Sequence, residues 1–218
     1  MSDIDQTIQK LCQDNTPSGP SLAARYWLIL GLAIPLVVAV TWTVMMLSGD
    51  GIRPNYIARI LDPQVAAKQL VPLLLVISTI PGILTLMRPE ARIGKQWFVI
   101  VTALSILPIM MIWKLVSLAP SAWPDEIFGP QIVQVLVAIP LISIVIVAGQ
   151  IIVLRRAAVI QSRTMGALAG VAAGGIATFI YALICTGDSP AYYGLWYSVT
   201  ILISGAIGAI AGHRFLRW

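Results

Sequence analysis

Long apolar stretches alternate with short polar connections along this chain. Each apolar stretch is close to the ~20 residues that a helix needs to cross a ~30 Å hydrocarbon layer. The six stretches cover residues 27–47, 69–87, 97–118, 132–154, 166–185 and 195–212. Because backbone polar groups in lipid must be paired within a helix, each stretch predicts one transmembrane helix. The predicted fold is therefore all-α, a polytopic bundle of six transmembrane helices.

Composition leaves little material for a soluble domain, since 58% of the residues are hydrophobic and only 11% are charged. We predict two parts: a cytoplasmic segment with a hinge over residues 1–26, and a transmembrane domain over residues 27–218. The first apolar stretch is too long for the core of a signal peptide and follows acidic residues, so we expect it to remain as an anchor.

Positive charge is distributed unevenly among the connections, and this predicts the orientation. Lys and Arg near helix ends are retained on the cytoplasmic side, whereas acidic residues carry little weight. The second and fourth connections and the C-terminus are basic, while the third and fifth contain neither Lys nor Arg. The first is mixed, with Arg53, Arg59 and Lys68, but an even number of spans places it outside. Both termini are predicted to be cytoplasmic.

The net charge of +5 changes this picture little. Most of the basic residues flank membrane helices on the predicted cytoplasmic side, where anionic lipid attracts them. We therefore predict contact with membrane lipid and no direct contact with nucleic acid.

The N-terminal segment carries an amphipathic pattern. Ile4, Ile8 and Leu11 fall at i, i+4 and i+7, which predicts one apolar stripe on a short helix that Pro17 ends. Burying three aliphatic side chains stabilises by ~1.5–3 kcal/mol each, less than the ordering of a dozen residues costs. The helix should therefore gain order in the groove of a partner protein, because its acidic polar face disfavours an anionic membrane. A tail without a binding role is the alternative.

Residues typical of catalysis or metal binding are sparse. The sequence has one histidine, His213, and contains no HExxH, GxSxG, Walker or CxxC motif. No acidic residue falls in the middle of a predicted span, where proton-coupled transporters usually have one. Lys114 is the one charged residue placed within a span, and we expect it to reach the interface beside Trp113. We predict no enzyme, no catalytic residue, no metal site and no cofactor.

The two cysteines are predicted to lie on opposite sides of the membrane. Cys12 belongs to the cytoplasmic segment and Cys185 to the outer end of the fifth span, so they are too far apart for a disulfide within one chain. Cys185 is free to pair between chains, to be oxidised or to bind a metal. Alternatively, it is a small apolar residue at a helix end.

Glycines recur every four residues in the last two spans. Gly166, Gly170 and Gly174 lie in the fifth span, and Gly208 and Gly212 in the sixth. This spacing lets helix backbones approach closely. It predicts packing within one bundle, with a homodimer face or a moving joint as the alternatives.

Several short motifs resemble those of a known family. The C-terminal part contains Tyr181-Ala-Leu-Ile-Cys-Thr-Gly-Asp-Ser-Pro, Leu195-Trp-Tyr and Gly212-His-Arg-Phe-Leu-Arg-Trp218. The N-terminal part has Asp14-Asn15-Thr16-Pro17 followed by Arg25, and Leu154-Arg-Arg-Ala-Ala follows the fourth span. In these motifs the chain resembles, over its whole length, the NrsF family of bacterial membrane anti-sigma factors.

This resemblance implies a regulator in the bacterial inner membrane. Such a protein holds an extracytoplasmic-function sigma factor through its N-terminal segment and releases it under envelope, oxidative or metal stress. Ile4, Ile8 and Leu11 would bury against the sigma factor, while Asp14 and Pro17 fix the helix end and the hinge.

The resemblance also implies a sensor built from two cysteines, one near Cys185 and one in the third connection. This chain departs from that pattern, because residues 120–132 contain no Cys. Cys185 is thus a sensing candidate that acts alone or between chains, unless the signal differs here. The competing classes are a small six-span transporter or channel and a membrane scaffold subunit.

Overall fold

A computed structural model describes residues 19–48, 58, 62–88, 93–129, 131–157 and 159–216. This part of the chain is helical and contains no strand. Its α-helices are α1 (Leu22–Ser48), α2 (Pro63–Leu86), α3 (Gln96–Val116), the short α4 (Trp123–Ile127), α5 (Ile132–Leu154), α6 (Ser162–Ala182) and α7 (Pro190–Phe215). All but α4 are long and apolar enough to cross a membrane. The predicted all-α bundle with six spans is confirmed.

Four helices, α1, α2, α6 and α7, begin several residues before the apolar stretches that predicted them, and two of these starts have a clear local cause. Before α2, the Asp62 carboxylate accepts a hydrogen bond from the Gln64 N–H at 3.1 Å, and Pro63 occupies the first helical position. Such an N-cap satisfies a backbone donor that the helix leaves unpaired, and proline fits there because it has no N–H. Pro190 likewise occupies the first turn of α7, although the Ser189 side chain makes no capping hydrogen bond. A proline at the helix start, together with the Asp62 cap in α2, marks these two starts better than hydrophobicity does.

Helix α6 lies at the centre of the bundle, against α7, α2 and α5. Its glycines face those of α7 so closely that a Cβ atom at Gly170 would meet the Gly205 Cα at 2.9 Å, and one at Gly208 would meet the Gly170 Cα at 2.6 Å. Gly166 and Gly212 meet in the same seam. The predicted close packing of the last two spans within one bundle is therefore confirmed.

The two ends of the bundle differ in charge. The antiparallel spans bring the start of α1 and the end of α5 to the end that we call the basic end, which carries Arg25, Arg88, Lys95, Arg155, Arg156, Arg163 and Arg214. Every acidic residue that the structure describes lies at the opposite, acidic end: Asp62, Asp125, Glu126 and Asp188. Across the basic end, the Arg163 Nε donates to the His213 Nδ1 at 3.1 Å and so joins α6 to α7.

Helix α1 occupies the edge of the bundle. It packs mainly on α5, and large apolar side chains such as Leu32 and Leu36 remain exposed along it. An apolar surface of this kind suits contact with lipid chains rather than with water.

Candidate functional site

Lys68 corrects one prediction about charge within the spans. The sequence indicated Lys114 as the one charged residue inside a span and assigned Lys68 to the first connection. The structure instead places Lys68 in α2, where its side chain is only 1% exposed. The cap at Asp62 starts the helix early and carries Lys68 into the packed interior. Lys114 lies in the last turn of α3, and its predicted reach to the interface stays a prediction.

The buried Lys68 ammonium connects α2 to the segment between α6 and α7. Its Nζ donates to the Cys185 carbonyl oxygen at 2.6 Å and lies 3.6 Å from the Asp188 Oδ1. A buried ammonium is costly unless it is paired and hydrogen-bonded. These two contacts therefore fix the position of the Cys185 backbone relative to α2.

The predicted sensing residue Cys185 lies three residues beyond the end of α6 rather than within it. Its thiol is free and buried, with the residue 1% exposed. The Sγ–H donates to the Gln131 Oε1 at 3.4 Å, and the same oxygen accepts from the N–H and the Oγ1 of Thr186, each also at 3.4 Å. We call Lys68, Gln131, Cys185 and Asp188 the polar cluster.

Aromatic side chains enclose the thiol on its interior side. Tyr181, Tyr192 and Tyr197 are buried and lie close enough to Cys185 to interact with it electrostatically. Tyr193 reaches across to α2, where its hydroxyl donates to the Gln64 carbonyl oxygen at 3.3 Å. Cys185 thus sits among phenol rings from α6 and α7, away from solvent.

The third connection closes over the polar cluster from outside. The Ser189 hydroxyl donates to a carboxylate oxygen of Glu126, and the Trp196 Nε1 donates to the Ile127 carbonyl oxygen at 2.9 Å. A cleft of about 320 Å³ remains between this connection and the start of α7, lined mainly by polar side chains and by Tyr192. Solvent therefore enters near the polar cluster without reaching the thiol.

The chemistry available to the polar cluster is limited by its single thiol. Among the described residues, no group of three His, Cys, Asp or Glu side chains is placed to hold a metal ion. Sulfur reactivity requires an accessible thiolate, and the burial of Cys185 keeps its thiol from solvent in this conformation.

The contact between Cys185 and the third connection was not predicted from the sequence. Only the absence of a cysteine from that connection was noted. Gln131 makes this contact, and an amide in a polar loop gives no sign of its partner. Lys68 was more accessible to sequence reasoning, because the Asp62-Pro63 pair is a recognisable helix start and places Lys68 in the second helical turn.

The predicted partner-binding residues, Ile4, Ile8, Leu11, Asp14 and Pro17, lie outside the described residues, as does Cys12. Their assignment therefore rests on the sequence pattern and on the resemblance.

Fold and site together define a helical membrane protein with a buried polar cluster at its acidic end. The chain matches the family described as NrsF, negative regulator of sigma F, over residues 11–218, and it belongs to that family. It is 28% identical over 204 residues to the probable anti-sigma-F factor NrsF of Azospira oryzae, and the alignment covers 91% of each chain. No solved structure matches it.

Proposed function

We propose that this protein is a membrane-bound anti-sigma factor that holds an extracytoplasmic-function sigma factor at the bacterial inner membrane and releases it under envelope, oxidative or metal stress. The family match over nearly the whole chain is the observation that carries the proposal. A bundle with one basic and one acidic end supports placing the basic end, and with it both termini, in the cytoplasm.

In this proposal the N-terminal segment binds the sigma factor. The stripe of Ile4, Ile8 and Leu11 lies in a groove of the sigma factor, while Asp14 and Pro17 end the helix and begin the hinge. The segment leads into α1 at the basic end, so a sigma factor bound there is retained on the cytoplasmic face and kept from RNA polymerase.

Sensing is assigned to the opposite end, at Cys185. Modification of its thiol, or formation of a disulfide between two chains, would disturb the contacts of Gln131 and Lys68 with the segment after α6. Helix α6 runs from this cluster to the basic end and packs against α7, α2 and α5 on the way. Displacement of α6 is thus a direct physical route from a stress signal to the sigma-binding side.

Introducing negative charge into the apolar stripe tests the binding step. The variant with Ile8→Asp and Leu11→Asp is expected to raise expression of the sigma-dependent genes without stress, because a buried carboxylate in an apolar groove costs several kcal/mol. The matched control, Gln6→Asp with Gln9→Asp, adds the same charge on the opposite helix face and should leave those genes repressed. Equal repression by both variants would contradict helix-in-groove binding.

A further inference from the structure

A second cleft lies at the basic end, between α1 and α5. It encloses about 240 Å³ and is lined by Pro20, Ala24, Arg25, Leu28, Ile29, Ile152, Val153 and Arg156. The polar cluster lies at the opposite end of the bundle, so this cleft is a separate feature. Its lining combines two guanidinium groups with an apolar wall.

The two arginines occupy defined positions at the mouth of the cleft. Arg25 is half-buried in the first turn of α1, where a Cβ atom added to Gly19 would meet its guanidinium nitrogen at 3.2 Å. Gly19 has a φ of +138°, a conformation that glycine adopts without strain, and this turn brings the chain back against Arg25. Arg156 follows the end of α5 and is exposed.

Neither guanidinium has a carboxylate partner in the described part of the chain. Instead, Lys68 pairs with Asp188 at the other end of the bundle. The described acidic residues all lie at the acidic end, so the described lining of this cleft carries positive charge from its two arginines. An anion is the ligand that complements it, and guanidinium groups bind phosphate through paired hydrogen bonds.

The apolar lining of the cleft favours a lipid over a soluble anion as the ligand. Leu28 is 60% exposed and Ile152 is 59% exposed, and both lie just inside the arginines on helices that face the membrane. A free phosphate ion would leave this surface uncovered. A phospholipid would place its phosphate between the guanidinium groups and its acyl chains along Leu28 and Ile152.

We propose that the cleft between α1 and α5 is a binding site for an anionic phospholipid, with Arg25 and Arg156 holding its phosphate. The lipid would bridge α1 to α5, the helix on which α1 mainly packs. It would thereby stabilise the start of the helix to which the N-terminal segment is attached.

Lipid retention by the purified full-length protein tests this site. Native mass spectrometry would compare retention of phosphatidylglycerol with that of phosphatidylcholine. We expect Arg25→Gln and Arg156→Gln each to weaken phosphatidylglycerol binding about tenfold, because each removes a charge-assisted hydrogen bond to the phosphate. Arg155→Gln is the matched control, because Arg155 lies over the Phe215 ring, outside the cleft, and should have no effect.

Three results would overturn the proposal. Equal weakening by all three substitutions would indicate general charge attraction rather than a site. Equal competition by glycerol phosphate, which has no acyl chains, would indicate a soluble anion. Displacement of the lipid by a synthetic peptide of residues 1–18 would make the chain's own N-terminal segment the occupant. Arg156 is exposed, so the Arg156→Gln variant is expected to fold. Measuring the unfolding of each variant in the absence of lipid checks that it is folded.

Discussion

Helices α6 and α1 are both apolar enough to cross a membrane but have opposite surroundings. In the most apolar stretch of each helix, 83% of the residues are buried in α6 and 22% are buried in α1. Helix α6 is enclosed by three other spans and carries the polar cluster just beyond its end, whereas α1 rests mainly on α5 and carries the proposed sigma-binding segment. The closely packed centre and the proposed partner-binding element are therefore separate parts of the molecule, and substitutions in each should have different consequences.

The largest effect on stability is expected from a substitution in the glycine seam between α6 and α7. In Gly170→Ala the new methyl group would overlap the Ser204 carbonyl oxygen and the Gly205 Cα, so α6 and α7 must separate. We expect a loss of about 3 kcal/mol or more, at the upper end of overpacking costs. Unfolding by denaturant in detergent micelles measures it. A loss below about 1 kcal/mol would show that the seam is not closely packed.

The next effect is expected at the acidic end. Lys68→Met leaves the Cys185 carbonyl and Asp188 without their ammonium partner, and we expect a loss of about 2–3 kcal/mol, typical of hydrogen bonds to charged groups. The Cys185 thiol should also react faster with maleimide in a Cys12→Ser background. Lys114→Met is the control, because Lys114 lies in the last turn of α3. Similar losses in both variants would remove any special role for Lys68.

A smaller effect on stability, with a clear effect on signalling, is expected for Cys185→Ser. The hydroxyl retains a donor toward Gln131, so the free energy of unfolding should change by about 1 kcal/mol or less. The response of sigma-dependent genes to thiol-reactive stress should be blunted. Cys12→Ser serves as the control and should respond normally. An unchanged dose response in Cys185→Ser would assign Cys185 to packing.

The smallest effect is expected in α1. Gly31 has nothing within 4 Å of the position that a Cβ atom would occupy, so Gly31→Ala introduces no overlap. Alanine is also the better helix former, and we expect stability to stay the same or rise by up to ~1 kcal/mol. The same substitution that disrupts α6 should thus be harmless here. A clear loss at Gly31 would mean that α1 packs against more than α5.

The spans were predictable because hydrocarbon thickness fixes the length of an apolar stretch. The glycine seam was predictable for a similar reason, since spacing by four places Gly166 and Gly170 on one helix face. Both properties are local in the sequence. The predicted helix starts were less accurate, because the Asp62 cap of α2 and the prolines that open α2 and α7 begin these helices before the apolar stretches do.

The polar cluster was beyond such reasoning. Lys68 and Cys185 are separated by 117 positions, and no periodic pattern brings them together. Only packing of α2 against α6 does so, and the pairing of Gln131 with Cys185 depends on the path of the third connection. The proposed sigma-binding residues differ from the polar cluster. Their pattern is visible in the local sequence, but the partner they would bind is another molecule.

Retention of the cognate sigma factor at membranes is the decisive measurement of the proposed anti-sigma function. The sigma factor would be co-expressed with the full chain or with a chain lacking residues 1–20, and its distribution between membrane and soluble fractions measured. We expect the full chain to hold the sigma factor in the membrane fraction and the shortened chain, inserted to the same level, to release it. A sigma factor that stays soluble with the full chain, or stays at the membrane without residues 1–20, would contradict this expectation.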